Sequence, residues 1–137
     1  MSIVVIDASI ALSWCFEDEA TPEGDAIFGA VGDEGAIVPI LWHLEVCNAL
    51  IVAERRGRIT AGDVVTRLEL LDTLPITTDD RLLKHVWGDV LKLARSERLT
   101  SYDATYLELS LRSRAALATR DKALSTAAAR AGVKLLL

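Results

Sequence analysis

The chain has 137 residues, 51% apolar and 26% charged, which suits one globular domain over 1–137 and excludes disordered, collagen-like and low-complexity proteins. Twenty Asp and Glu against fifteen Lys and Arg give a net charge of −5, so the basic footprint of a typical nucleic-acid binder is absent. No apolar run reaches the roughly 18 residues of a membrane span, and Met1-Ser2-Ile3 lacks the basic flank of a signal peptide. The expectation is a cytoplasmic protein with no membrane association. A mean hydropathy of +0.30 is high for so small a chain and points to apolar surface buried against another chain.

The elements alternate in kind. Residues 3–6 are rich in β-branched side chains and suit a buried parallel strand. Asp7-Ala8-Ser9 is a turn, and a short helix is predicted over 10–16. Thr21-Pro22-Glu23 opens a helix with Pro in its first turn, stopped by Gly32 and Gly35. A second strand follows over 36–39 and a long helix over 40–56, ended by Gly57. Thr60 and Asp63 have capping-box spacing for a helix to about 72. Residues 74–77 form a weak third strand, and Thr78 is placed to cap a helix over 79–97, interrupted by Gly88. Thr100 or Ser101 caps a helix over 102–113. A fourth strand at 115–118, a helix at 122–131 and a fifth strand at 133–137 complete the chain. The alternation implies an α/β fold: a three-layer α/β/α sandwich around a central, mainly parallel sheet of about five strands. Cys15 and Cys47 lack C-x-x-C spacing and read as small core residues. With only His43 and His85 beside them, no zinc site is expected.

Phosphate-loop, dinucleotide and nucleophile-elbow motifs are all absent. What remains is acidic. Ligands of parallel α/β sheets bind outside the carboxyl ends of the strands, and two carboxylates fall there. Asp7 directly follows the first strand, and Asp121 follows the fourth behind Thr119 and Arg120. Each also suits a plain helix cap. Glu45 and Asn48 share a face of an otherwise apolar helix, which is either an exposed patch or a buried pair in need of a polar partner. Asp103 is both the third position of a capping box opened by Thr100 and a carboxylate at a positive helix end. Carboxylates about 4 Å apart repel by about 4 kcal/mol per pair at an effective dielectric of roughly 20. A hard divalent cation with oxygen ligands offsets this, and Mg²⁺ or Mn²⁺ there polarises a phosphoryl oxygen and acidifies a bound water.

Four segments, in order, carry a resemblance: Val5-Ile6-Asp7-Ala8-Ser9, Glu45-Val46-Cys47-Asn48-Ala49-Leu50, Thr100-Ser101-Tyr102-Asp103-Ala104-Thr105-Tyr106-Leu107 and Ala118-Thr119-Arg120-Asp121. Over essentially its full length the chain resembles the PIN domain, most closely the compact VapC-type ribonuclease toxins of type II toxin–antitoxin systems. The resemblance implies a Mg²⁺-dependent endoribonuclease cutting single-stranded or looped RNA. Asp7 and Asp103 would be the most direct metal ligands. Glu45 and Asp121 would complete the acidic catalytic cluster, and Ser9, Asn48 and Thr119 would support it. Some members carry a further acid after the fourth, whereas Ala123, Leu124 and Ser125 follow here, so the number of metal ions, one or two, stays open. The family also implies a VapB-like antitoxin seated in a groove, with Trp14, Phe16, Trp42, Val46 and Leu50 as candidate lining, and a homodimer. Arg120 and Lys122, beside a proposed ligand, are the favoured RNA-binding cations. Two other readings stay open: a phosphohydrolase with Asp7 as nucleophile, although Ser9 stands where such enzymes usually carry a second Asp, and a catalytically inactive PIN-like binding module whose acids only cap helices.

Overall fold

Val4–Ile6 form β1, fully buried as a strand covered on both faces must be. The computed structural model describes residues 3–137, so Met1 and Ser2, part of the flank without basic residues noted above, lie outside it. After β1 come α1 (Ala8–Cys15), one 3₁₀ turn (Glu17–Glu19), α2 (Pro22–Glu34), β2 (Ala36–Val38), α3 (Ile40–Arg55), α4 (Ala61–Asp72) and β3 (Ile76–Thr78). An irregular helical stretch then leads into α5 (Leu91–Glu97), α6 (Ser101–Ser113), β4 (Ala116–Ala118) and α7 (Lys122–Arg130). Among the described residues no helix is long and apolar enough to cross a membrane.

The four strands are all parallel, in the order β3-β2-β1-β4. The chain therefore steps one way from β1 to β3 and then crosses to the far side of β1. Right-handed crossovers place α1–α4 on one face and α5–α7 on the other. The packing agrees: α1 lies against α2 and α3, while α6 lies against α5, α7, β1 and β4. The switch in direction leaves a crevice at the carboxyl ends of β1 and β4, where ligands of such sheets bind.

Local signals account for most boundaries. Thr60 and Asp63 form both halves of the capping box, with Thr60 Oγ1 accepting from the Asp63 amide at 3.0 Å and Asp63 Oδ2 accepting from the Thr60 amide at 2.9 Å. Gly35 ends α2 at φ +85°, and a Cβ there would sit 3.1 Å from the Pro75 carbonyl oxygen, so the close approach of β2 to β3 needs glycine.

Three expectations are corrected. The expected fifth strand contributes only one parallel bridge, Leu117 to Leu135. Leu117 alone supplies both its N–H, to Lys134, and its carbonyl, to Leu136. The helix expected over 79–97 breaks into a 3₁₀ turn (Leu82–Lys84), a π-helical turn (Val86–Val90) and α5. Thr78 does not cap it, because its hydroxyl bonds the His43 ring at 2.8 Å and the Asp79 amide donates to the Val38 carbonyl instead. Cys47 is exposed, not core. Trp42, Val46, Leu50 and Ala53 form the buried stripe of α3 and turn Cys47 outward. Of the residues considered above as groove lining, Phe16, Trp42, Val46 and Leu50 are buried in the core and Trp14 is half-buried, but Trp14 and Phe16 also line one surface hollow and Trp42 and Val46 another.

The Asp79 carboxylate is held by Arg112 from α6 through two bonds of 2.9 Å, and the same guanidinium bonds Glu108 at 2.8 and 3.0 Å. Asp79 and Glu108 are only 6% and 4% exposed. The pairing holds Asp79 below the usual carboxylate range and raises Arg112. Removing the cation leaves two buried carboxylates unpaired, a loss on the order of 3–5 kcal/mol. Arg112→Ala is therefore expected to lower the urea midpoint sharply at pH 7. The deficit should narrow as pH falls through and below the unfolded Asp range, where the wild type itself loses the pairing.

Candidate active site

Asp7 leaves β1 at its carboxyl end and is buried, at 6% exposure. It caps α1, its Oδ1 accepting from the Ile10 amide at 3.2 Å and from Ser9 Oγ at 2.5 Å. Its Oδ2 accepts from Thr119 Oγ1, beyond the end of β4. Both hydroxyls are themselves occupied from behind: Ser9 Oγ accepts from the Arg120 amide at 2.9 Å, and Thr119 Oγ1 from the Asp121 amide at 3.0 Å. Each hydroxyl proton is therefore directed at Asp7. The loop after β1 and the loop after β4 are clamped to one carboxylate across the switch point.

Asp121 caps α7, Oδ1 accepting from the Leu124 amide at 2.8 Å. Asp103 follows a different course. Thr100 Oγ1 accepts from the Asp103 amide at 3.1 Å, but the reciprocal bond that completes the Thr60–Asp63 box is not formed. The Asp103 carboxylate is thus free of its capping duty and half-buried at the start of α6. Glu45, half-buried on α3, accepts at Oε1 from the Tyr106 hydroxyl at 2.5 Å. Asn48, one turn further along α3, is exposed.

The electrostatics tie the four acids together. Burial pushes Asp103 up to about 6, and the charges of Asp121, Asp7 and Glu45 add to the rise. Asp7 is raised by burial and by Asp121, against the lowering effect of its hydrogen bonds from Ser9, Thr119 and Ile10. Glu45 is raised by burial and by Asp7, against its bond from Tyr106. Among the described residues, no Lys, Arg or His forms an ion pair with any of the four. Arg120 points elsewhere, its guanidinium 3.1 Å from the Glu19 carbonyl oxygen and 3.7 Å from the Glu19 carboxylate.

A hard divalent cation fits this donor set by chemistry and charge: oxygen ligands only, and excess negative charge without a counter-ion. It is not a closed cage. Among the described residues, no three Asp, Glu, His or Cys side chains already converge closely enough to hold a metal, and both Asp7 oxygens carry hydroxyl partners.

Tyr106 is the member that residue-by-residue reading passed over. Its signal was the i, i+3 spacing from Asp103, which sets both on one face of α6. Burial, and then Glu45, raise the phenol above its ordinary value, so it stays protonated as the donor.

The family model for the PIN domain matches residues 4–130. No curated protein matches the chain. Among solved structures, PAE2754 from Pyrobaculum aerophilum is similar over 98% of this chain and 84% of that one, with 24% identity and a TM-score of 0.71. FitAcB from Neisseria gonorrhoeae is similar over 97% of this chain and 96% of that one, with 14% identity and a TM-score of 0.67. At such identities the likeness is one of fold.

Because its folded value lies above the unfolded 3.8, ionised Asp103 opposes folding. The penalty is absent below about pH 4 and complete above about pH 6. Asp103→Asn is expected to melt about 3–5 °C above the wild type in EDTA at pH 7.5. The advantage should shrink toward zero near pH 4, as read by calorimetric melts across the range.

Proposed function

Since the chain belongs to the PIN domain family, whose members are generally metal-dependent nucleases, we propose that it is a Mg²⁺-dependent endoribonuclease of single-stranded or looped RNA. The observation that carries this reading is the group of four carboxylates, without a counter-cation, at the switch point of the sheet, in which Asp103 feels the charges of the other three. Asp7 and Asp103 are the direct ligands in this reading, with Glu45 and Asp121 completing the set. Ser9 and Thr119 fix the Asp7 carboxylate in one orientation, and Asn48 offers a polar group at the exposed rim. Mg²⁺, or Mn²⁺, supplies polarisation of the scissile phosphoryl oxygen and a water acidic enough to attack. The protein's own task is to gather and orient four carboxylates whose ionisation the cation then favours. Protons compete for Asp103 near pH 6, so cation-dependent activity falls as pH drops through that value.

The biological setting we favour is a toxin held in check by a small VapB-like antitoxin. A hollow of about 490 Å³ between α1, α2 and α4 supports this, lined by Trp14, Phe16, Phe28 and Leu70 with Glu17 and Arg67 among its charged residues. The homodimer is best supported by the stretch before α5. Leu83 and Trp87 are each 91% exposed, and Leu91 at the start of α5 is exposed as well. Asp80, Lys84, Asp89 and Lys92 set both charge signs along this stretch, a pattern that a two-fold copy can match. Trp87→Glu is expected to convert a dimer into a folded monomer in sedimentation. A dimer unchanged by the substitution would move the interface elsewhere.

The nuclease reading is tested with purified protein and an RNA carrying unpaired loops. Cleavage is expected with Mg²⁺ and not with EDTA, and Asp7→Asn or Asp103→Asn should reduce it by at least about 100-fold. Cleavage that persists in either variant contradicts it.

A further inference from the structure

Tyr106 is among the largest fully buried side chains, at 1% exposure. A phenylalanine would occupy nearly the same volume, so packing alone does not call for a hydroxyl. A buried hydroxyl costs free energy unless it is hydrogen-bonded. Here it is satisfied by Glu45, 61 positions away and on a helix of the opposite layer. The bond anchors Oε1 and leaves the second oxygen of Glu45 without a side-chain partner among the described residues. Tyr106 also follows Asp103 by three residues on α6, so the helix that carries one acid carries the anchor of another.

We propose that Tyr106 is a positioning residue for the acidic site, orienting the Glu45 carboxylate toward the cation and toward Asp103. The inference rests on the cation-dependent reading given above and adds to it an outer-shell partner of a ligand. Such partners typically change metal affinity by about 10–100-fold when removed.

The test is calorimetric titration of Mg²⁺ into the wild type and Tyr106→Phe at pH 7.5, with melts of both in EDTA. Tyr106→Phe is expected to bind Mg²⁺ at least about tenfold more weakly while its metal-free melting temperature stays within a few degrees of the wild type. The chain has two tyrosines, so carbon labelling of the tyrosine ring at Cζ gives a direct second readout. The Tyr106 resonance should move when Glu45 is changed to Gln in metal-free protein, and should follow the Mg²⁺ titration in the wild type. Equal Mg²⁺ affinity in wild type and Tyr106→Phe, or a Tyr106 resonance that ignores both Glu45→Gln and Mg²⁺, overturns the positioning role alone. A wild type that binds no Mg²⁺ overturns the nuclease reading, and this inference with it.

Discussion

The arrangement turns on one carboxylate, Asp7, pinned at the end of the central strand by two hydroxyls that each accept from an amide of the loop after β4. Ser9 and Thr119 pass the orientation of the Arg120 and Asp121 backbone to the two oxygens of Asp7. Hydrogen bonds to a charged group contribute on the order of 1.5–3 kcal/mol each. They hold β1 and β4 in register at the crevice, but they do not win electrostatically. Burial and the neighbouring Asp121 still leave Asp7 harder to ionise than a free aspartate.

A second acidic pair in the same fold shows what ordinary structural chemistry looks like. The Asp79 and Glu108 side chains are also largely withdrawn from solvent, yet one guanidinium bonds both, and Asp79 is shifted below the usual carboxylate range. Asp103 is shifted the other way, to about 6, by burial and by three other acids. The fold can place an arginine against carboxylates where stability needs it, and at the switch point it does not. Groups held so that they oppose folding are characteristic of sites where function outweighs stability.

Much of this was legible in the chain because its causes are local. The β-branched run at Val4–Ile6, the stripe of Trp42, Val46 and Leu50, and the Thr60–Asp63 box each declare an element within a few residues. The order of the four acids was legible in the same way, and so was the capping role of Asp7 and Asp121, which both retain. What was hidden depends on partners far along the chain. Asp79, expected to open a helix over 79–97, is instead claimed by Arg112, 33 positions on. Tyr106 is tied to Glu45 across 61 positions. Whether Thr100 and Asp103 close a full capping box was not decidable from a spacing identical to that of Thr60 and Asp63. Net charge was the least informative quantity, since the placement of four of the twenty acids matters more than the −5 total.

If the four carboxylates await a divalent cation, binding must expel the proton that burial, with the neighbouring acids, retains on Asp103. The direct measurement is proton release on adding Mg²⁺ to lightly buffered protein, at pH 6 and at pH 8. With Asp103 at about 6, about half a proton is expected to be released per bound ion at pH 6 and almost none at pH 8. Mg²⁺ binding with no proton release at pH 6, or no binding at either pH, would contradict it.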